Sequence, residues 1–257
     1  MIVFYKEFKV WILGIFCLLM FIPIACNGQI LSWFDTDAST TAHYLFEQDG
    51  TDETGNYDLT IQGTPTYSIG SKGKYVTTGQ NADRFYYQTL PNHSSTGSLE
   101  AIVKRDISTS GNYDVFLHFA ANNRLYLRYS GSTGAVTISI GDLSGSVTTA
   151  LIANDGDYHY LAMTWHSTVG VDTTVDVWLD GVKHGDAIAY TGGVNLSAFS
   201  FMVASTSSLT QSVDEIRLST VERSDAEIAI VQAKFAASWA VGSGFGRYGL
   251  YTGFGKW

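Results

Sequence analysis

Short runs of alternating apolar and polar residues fill the chain from His43 to Leu218, and Gly, Asp and Asn bound them at strand length. Two of these runs are neighbours. Tyr158-His159-Tyr160-Leu161-Ala162-Met163-Thr164-Trp165 and Val175-Asp176-Val177-Trp178-Leu179-Asp180-Gly181 read as an antiparallel pair. In the second run Val175, Val177 and Leu179 share one face while Asp176, Trp178 and Asp180 share the other, and Asp180-Gly181 supplies positive-φ turn chemistry. The domain opens at His43-Tyr44-Leu45-Phe46, followed by a turn-rich stretch with Asp49, Asp52 and Asp58, and a strand over Tyr57–Ile61. Further strands are predicted over Lys74–Thr77, Arg84–Tyr87, Leu99–Val103, Val115–Phe119, Arg124–Tyr129, Val136–Ile140, Phe199–Val203 and Ser212–Leu218. Roughly ten or more strands with no helix between them favour a two-sheet sandwich. The one helix pattern comes late. Ser224-Asp225-Ala226-Glu227 is a capping box, and Ile228, Val231 and Phe235 follow at helical spacing, which packs this helix on the sandwich edge.

The succession "YHYLAMTW" then "VDVWLDG" resembles the laminin-G-like, concanavalin-A-like jelly-roll family, whose members carry a His-hydrophobic-Ala strand followed by a hydrophobic-Asp-Gly hairpin. "HYLFEQDGTDETGNYDL" (His43–Leu59), "SLEAIVKRD" (Ser98–Asp106) and "VDEIRLSTVERSDAEIAIV" (Val213–Val231) agree in order and spacing over most of residues 40–236. Ile102 stands where the family pattern has Trp, so packing beneath that strand is expected to differ. The resemblance implies an all-β, two-sheet antiparallel jelly-roll sandwich over residues 42–236 with one short C-terminal helix.

The N-terminus has a different pattern. Lys6 and Lys9 precede an apolar run from Val10 to Ile22, which ends in Pro23-Ile24-Ala25-Cys26; this order reads as an export signal over residues 1–25. The run is shorter than the roughly 20 apolar residues that span a bilayer comfortably. Ile24-Ala25-Cys26 resembles the end of a bacterial lipoprotein signal, which makes Cys26 a candidate lipidated mature N-terminus and membrane anchor; ordinary cleavage nearby is the other reading. Residues 27–41 are polar and read as a linker. Cys17 lies within the leader, so the mature chain has no cysteine pair and no thiolate zinc site. The implied location is the cell surface, the outer membrane or the medium.

Composition narrows the partners. The 257 residues include 26 Gly and 3 Pro, with 15 Tyr and 14 Phe, as suits many short aromatic strands joined by Gly-rich turns. The formal charge is −9, which repels phosphate backbones, and with no basic cluster or recognition-helix pattern nucleic acid is not an expected partner. Residues 237–257 form a Gly-rich tail in which Phe245, Tyr248, Tyr251, Phe254 and Trp257 recur every third residue, a period of neither strand nor α-helix.

No Gly-x-Ser-x-Gly elbow, phosphate-binding loop or His-Glu-x-x-His motif occurs. A glycoside hydrolase or lyase needs paired carboxylates, yet Asp214-Glu215 are adjacent and face opposite sides, and Glu100 is isolated along the chain. The chain is therefore expected not to be an enzyme. His43, His118, His159, His166 and His184 lack metal-ligand spacing. Calcium is the one candidate cofactor, through Asp49, Asp52 and Asp58; the alternative is that these residues make Asx-turns. Two ligand patches compete. Alternation places Leu125, Leu127 and Tyr129 inward and Arg124, Tyr126 and Arg128 outward, and Trp178 with Asp176 offers a second aromatic beside a charge. Aromatic faces stack on sugar rings while the charges bond hydroxyls or acidic substituents. The expected function is a non-catalytic extracellular module that recognises glycan or a surface protein. The alternative is a structural protein of a cell surface or virion that assembles through its tail.

Overall fold

The computed structural model describes residues 32–47, 49–69, 74–78, 84–87, 96–105, 112–118, 124–130, 133–141, 147–152, 157–167, 173–184, 199–204 and 211–242. The leader, Cys26 and the tail beyond Gly242 lie outside the described residues, as do the side chains of Arg124, Tyr126 and Arg128.

The described residues form fifteen strands in chain order: β1 (Thr40–Tyr44), β2 (Thr60–Gln62), β3 (Thr66–Ile69), β4 (Lys74–Thr78), β5 (Arg84–Tyr87), β6 (Thr96–Arg105), β7 (Asn112–His118), β8 (Arg124–Ser130), β9 (Ala135–Gly141), β10 (Val147–Leu151), β11 (Tyr158–Ser167), β12 (Thr173–Leu179), β13 (Val182–His184), β14 (Phe199–Ala204) and β15 (Gln211–Ser219). Helix α1 spans Asp225–Gly242 and so runs into the stretch expected to be tail. One sheet has the order β13-β12-β11-β6-β15-β4-β3, with β1 also paired to β15; the other has the order β10-β9-β8-β7-β14-β5-β2. Both are antiparallel throughout. The fold is a two-sheet antiparallel jelly-roll sandwich with a C-terminal helix.

The β11–β12 hairpin forms as its pattern predicts, with Leu161 opposite Leu179 and Trp165 opposite Val175. The tight turn that follows, from β12 into β13, uses Asp180 at φ 51° and Gly181 at φ 77°. A Cβ at Gly181 would also lie 2.7 Å from Gln232 Cγ, so glycine lets α1 approach the turn. Strand β15 divides one edge between two partners. Gln211–Val213 pair with β4 and Ile216–Ser219 with β1, and the change falls beside a register shift between Val213 and Glu215.

Two hydrophobic layers hold the fold. Between the sheets, Leu99, Ala101, Val103, Leu161, Met163, Trp165, Val213 and Ile216 of the eight-stranded sheet belong to one buried cluster with Phe85, Leu127 and Val136 of the other. The second layer lies on the opposite face of the eight-stranded sheet, where Ile102, Tyr158, Tyr160, Ala162 and Trp178 pack with Trp33, Phe34 and, from α1, Ile228, Val231 and Phe235. Ile102 therefore lies in the helix-side layer. The linker expected over residues 27–41 is corrected from Ser32 onward. Trp33 and Phe34 are each 1% exposed, because an apolar pair followed by a strand gains more by burial than by serving as a spacer.

Candidate functional site

The covered face of the eight-stranded sheet carries a buried polar network that cannot be anticipated from local sequence. Arg217 stands opposite Glu100 across the β6–β15 pair. Its Nε donates to Glu100 Oε2 at 2.8 Å, its Nη2 donates to the same oxygen, and its Nη1 donates to the Asp35 carbonyl at 2.5 Å. Tyr160 Oη–H donates to Glu100 Oε1 at 2.6 Å, and burial, with the adjacent carboxylate, holds this phenol well above its ordinary pKa. Glu100 is thus paired, where its place in the sequence looked isolated.

Glu215 anchors the strap that precedes β1. Its carboxylate accepts from the Trp33 amide at 2.8 Å, the Phe34 amide at 3.2 Å and the Ser32 hydroxyl at 2.5 Å, and lies 2.5 Å from His43 Nε2. Ser, His and Glu together invite comparison with a hydrolytic triad, and the geometry rejects it. A working triad places nucleophile and carboxylate on different ring nitrogens. Here Ser32 Oγ, at 3.4 Å, and Glu215 both address Nε2, while Nδ1 is buried without a hydrogen-bond partner. Glu100 and Glu215 are 1% and 2% exposed, so neither is presented to a substrate as a glycosidase acid would be.

Arg223 joins strap, sheet and helix. It donates to Asp37 Oδ2 at 2.6 Å, to Glu227 Oε1 at 3.1 Å, and to the Ser39 and Ser219 hydroxyls at 3.1 and 3.0 Å. The hydrogen bond from Arg223 holds the Asp37 carboxyl well below the usual carboxylate range. The Ser224 amide donates to Glu227 Oε2 at 2.8 Å and keeps that carboxyl low as well, which is the reciprocal arm of the capping box.

The expected patch at Trp178 and Asp176 is corrected. Trp178 is 3% exposed beneath α1, with Lys183 Nζ 5.0 Å from its ring centroid, and Lys183 is also bonded to Asp176 at 2.7 Å. A ring enclosed in this way packs a helix and has no face left for a sugar. Asp180, on the same face, bonds His159 Nδ1 at 2.8 Å and accepts from the Tyr160 amide at 3.0 Å.

The calcium candidates also resolve into turn chemistry. Asp52 accepts from the amides of His43, Thr54, Asn56 and Tyr57, Asp58 accepts from the Asp52 amide, and Asp49 from the Thr51 amide. Among the described residues no group of three His, Cys, Asp or Glu is placed to hold a metal ion. Carboxylates turned onto backbone amides in this way make Asx-type turns, the alternative reading of Asp49, Asp52 and Asp58.

Strand β8 runs inside the seven-stranded sheet, between β7 and β9. Leu127 is fully buried between the sheets, so strand alternation puts positions 124, 126 and 128 on the outward side of the backbone. Position 126 stands opposite Ser139 of β9 and Leu117 of β7, and position 128 opposite Thr137 and Asp114. A register shift between Asp114 and Phe116 interrupts β7 beside position 128. Bulges of this kind are common where a sheet re-aims side chains near a site.

An all-β jelly roll with a covered sheet and a second, oppositely placed sheet is the class to which this chain belongs. No protein-family model matches it, and no curated protein matches it. Solved structures do share its fold. Domain 4 of AbnA, a GH43 extracellular arabinanase from Geobacillus stearothermophilus solved in complex with arabinotriose, is 21% identical with a TM-score of 0.59; the match covers 77% of this chain and all of that one. The binding domain of Paraclostridial Mosquitocidal Protein 1 is 14% identical with a TM-score of 0.62, covering 77% of this chain and 52% of that one. The binding domain of botulinum neurotoxin DC in complex with SialylT is 10% identical with a TM-score of 0.59, over 76% and 51%. The chain thus spans about half the length of both toxin domains.

Proposed function

We propose that this protein is a non-catalytic, laminin-G-like recognition module that binds an acidic or sulfated glycan on the outward face of the seven-stranded sheet, around Arg124, Tyr126 and Arg128. The observation that carries this reading is the inequality of the two sheets. The strap and α1 pack on the eight-stranded sheet and bury Trp178, which favours the β8 patch of the two expected ligand patches. Tyr126 alternates with Arg124 and Arg128 along the strand, and guanidinium groups pair carboxylate and sulfate in bidentate fashion. The structural neighbours support a binding role, since one was solved with arabinotriose and another with SialylT. The module acts outside the cell, held to a membrane through lipid on Cys26. A glycan array probed with the protein tests the ligand class. Retention on uronic-acid or sulfated glycans, lost at high salt, is the expected result; binding confined to neutral glycans, or to none, overturns it.

A further inference from the structure

Strand register on the seven-stranded sheet carries the proposed site beyond β8. Position 126 stands opposite Leu117 of β7, Leu117 opposite Ser200 of β14, Ser200 opposite Tyr86 of β5, and Tyr86 opposite Thr60 of β2. One transverse row therefore joins Tyr126 to Tyr86. Two buried anchors agree on its face. Leu127 and Phe85 are both fully buried between the sheets, and alternation puts their neighbours at 126 and 128, and at 84 and 86, on the outward side. The far end of the row reaches water, since Thr60 is exposed, and Thr137, opposite Arg128, is partly exposed. On the other sheet the corresponding side is closed, with Ser98, Glu100 and Ile102 each 1% exposed or less.

Strand β5 thus repeats the pattern of β8. Arg84-Phe85-Tyr86 sets an arginine and a tyrosine two apart on the outward side, as Tyr126-Leu127-Arg128 does. Three antiparallel pairings relate β5 to β8, so the two strands run in opposite directions, and Arg84 and Arg128 fall on the same side of the tyrosine row. Three strand spacings separate the two pairs, about 14 Å. Between the tyrosines the row holds Ser200 and Leu117, neither of them charged. Positive charge is weighted toward β5, because Asp114 stands opposite Arg128 whereas Gln62 stands opposite Arg84.

Resting on the glycan reading of β8, we propose that Arg84 and Tyr86 form a second subsite of the same face, so that the ligand is an acidic oligosaccharide lying across the strands. A single terminal sugar is too short to engage both pairs. Two linked contacts make affinity rise with ligand length up to the span of the site. Galacturonic acid oligomers, from the dimer to the octamer, titrated by calorimetry into the full chain test this. Wild type should bind the octamer at least about tenfold more tightly than the dimer. Arg84→Gln and Tyr86→Ala should each remove most of that ratio, whereas Tyr126→Ala weakens binding at every length. Wild-type affinity that is flat with length overturns the second subsite and leaves the β8 site standing. So does a ratio that survives in both β5 variants, which is then the statistical effect of repeated units. Wild type that binds no length overturns the β8 reading and the second subsite together. The wild-type series and Arg84→Gln decide the matter if Tyr86→Ala melts early.

Discussion

Glu215→Ala should destabilise the protein far more than a substitution near the chain's covered edge would ordinarily do, because it removes the acceptor that fixes the Ser32–Phe34 strap. If the strap stays in place, the Trp33 amide loses its Glu215 acceptor in a buried setting, at about 1–3 kcal/mol, while the Phe34 amide keeps the Ser32 hydroxyl at 3.0 Å. If the strap detaches, those amides find water, but Trp33 and Phe34, each 1% exposed, return to water as well, at about 1.5–3 kcal/mol per side chain. The cheaper route sets the cost, so a loss of about 1–3 kcal/mol is expected. Glu215→Gln keeps one acceptor oxygen and should cost less. The assay is a urea melt of wild type, Glu215→Ala, Trp33→Ala/Phe34→Ala and the triple variant. Since the strap mediates both effects, the triple variant should lose much less than the sum. A Glu215→Ala loss below about 0.5 kcal/mol, the scale of ordinary surface changes, or strict additivity, would refute the latch.

Trp178→Ala should cost about 3–5 kcal/mol of folding stability, read by denaturant melt, because the ring is a buried packing element, and should leave glycan affinity per folded molecule unchanged. Acid should weaken the strap–helix junction. Asp37 and Glu227 have folded pKa values below their unfolded ones, so their contribution is full above the ordinary carboxylate range and is lost as pH falls from about 4 toward the depressed folded values. A pH series of melts should therefore show a shallower acid slope in Arg223→Met than in wild type; an unchanged slope contradicts the assignment. Cys26→Ser should move the protein from membrane to soluble fractions or block its processing, with loss of lipid mass by mass spectrometry. Fully processed wild-type protein without lipid would contradict it.

The β11–β12 hairpin, the Asp180-Gly181 turn after it and the Ser224 capping box were legible because each is set by residues close in sequence. The double-sided burial of the eight-stranded sheet was not. Glu100 and Arg217 sit at alternate positions that read as solvent-facing, and 117 residues separate them. The Trp33–Glu215 contact spans 182 residues. One local signal did exist: in Tyr158–Trp165 both alternating sets are rich in apolar residues, Tyr158, Tyr160 and Ala162 as well as Leu161, Met163 and Trp165, the mark of a strand buried on both faces. The same signal argued against an open ligand patch at Trp178. Strands β3, β10 and β13 carry a weak sequence pattern because they are short and all three lie at sheet edges.

Calorimetric titration of an acidic glycan into wild type, Tyr126→Ala, Arg124→Gln and Arg128→Gln, each paired with a denaturant melt, tests the recognition face most directly. Tyr126→Ala should lose about 1–3 kcal/mol of affinity with little change in stability, and the two arginine variants should bind more weakly and with a flatter dependence on salt. Unchanged affinity in all three folded variants would contradict a glycan site on β8, and a large stability loss in Tyr126→Ala would show that its side chain belongs to the core.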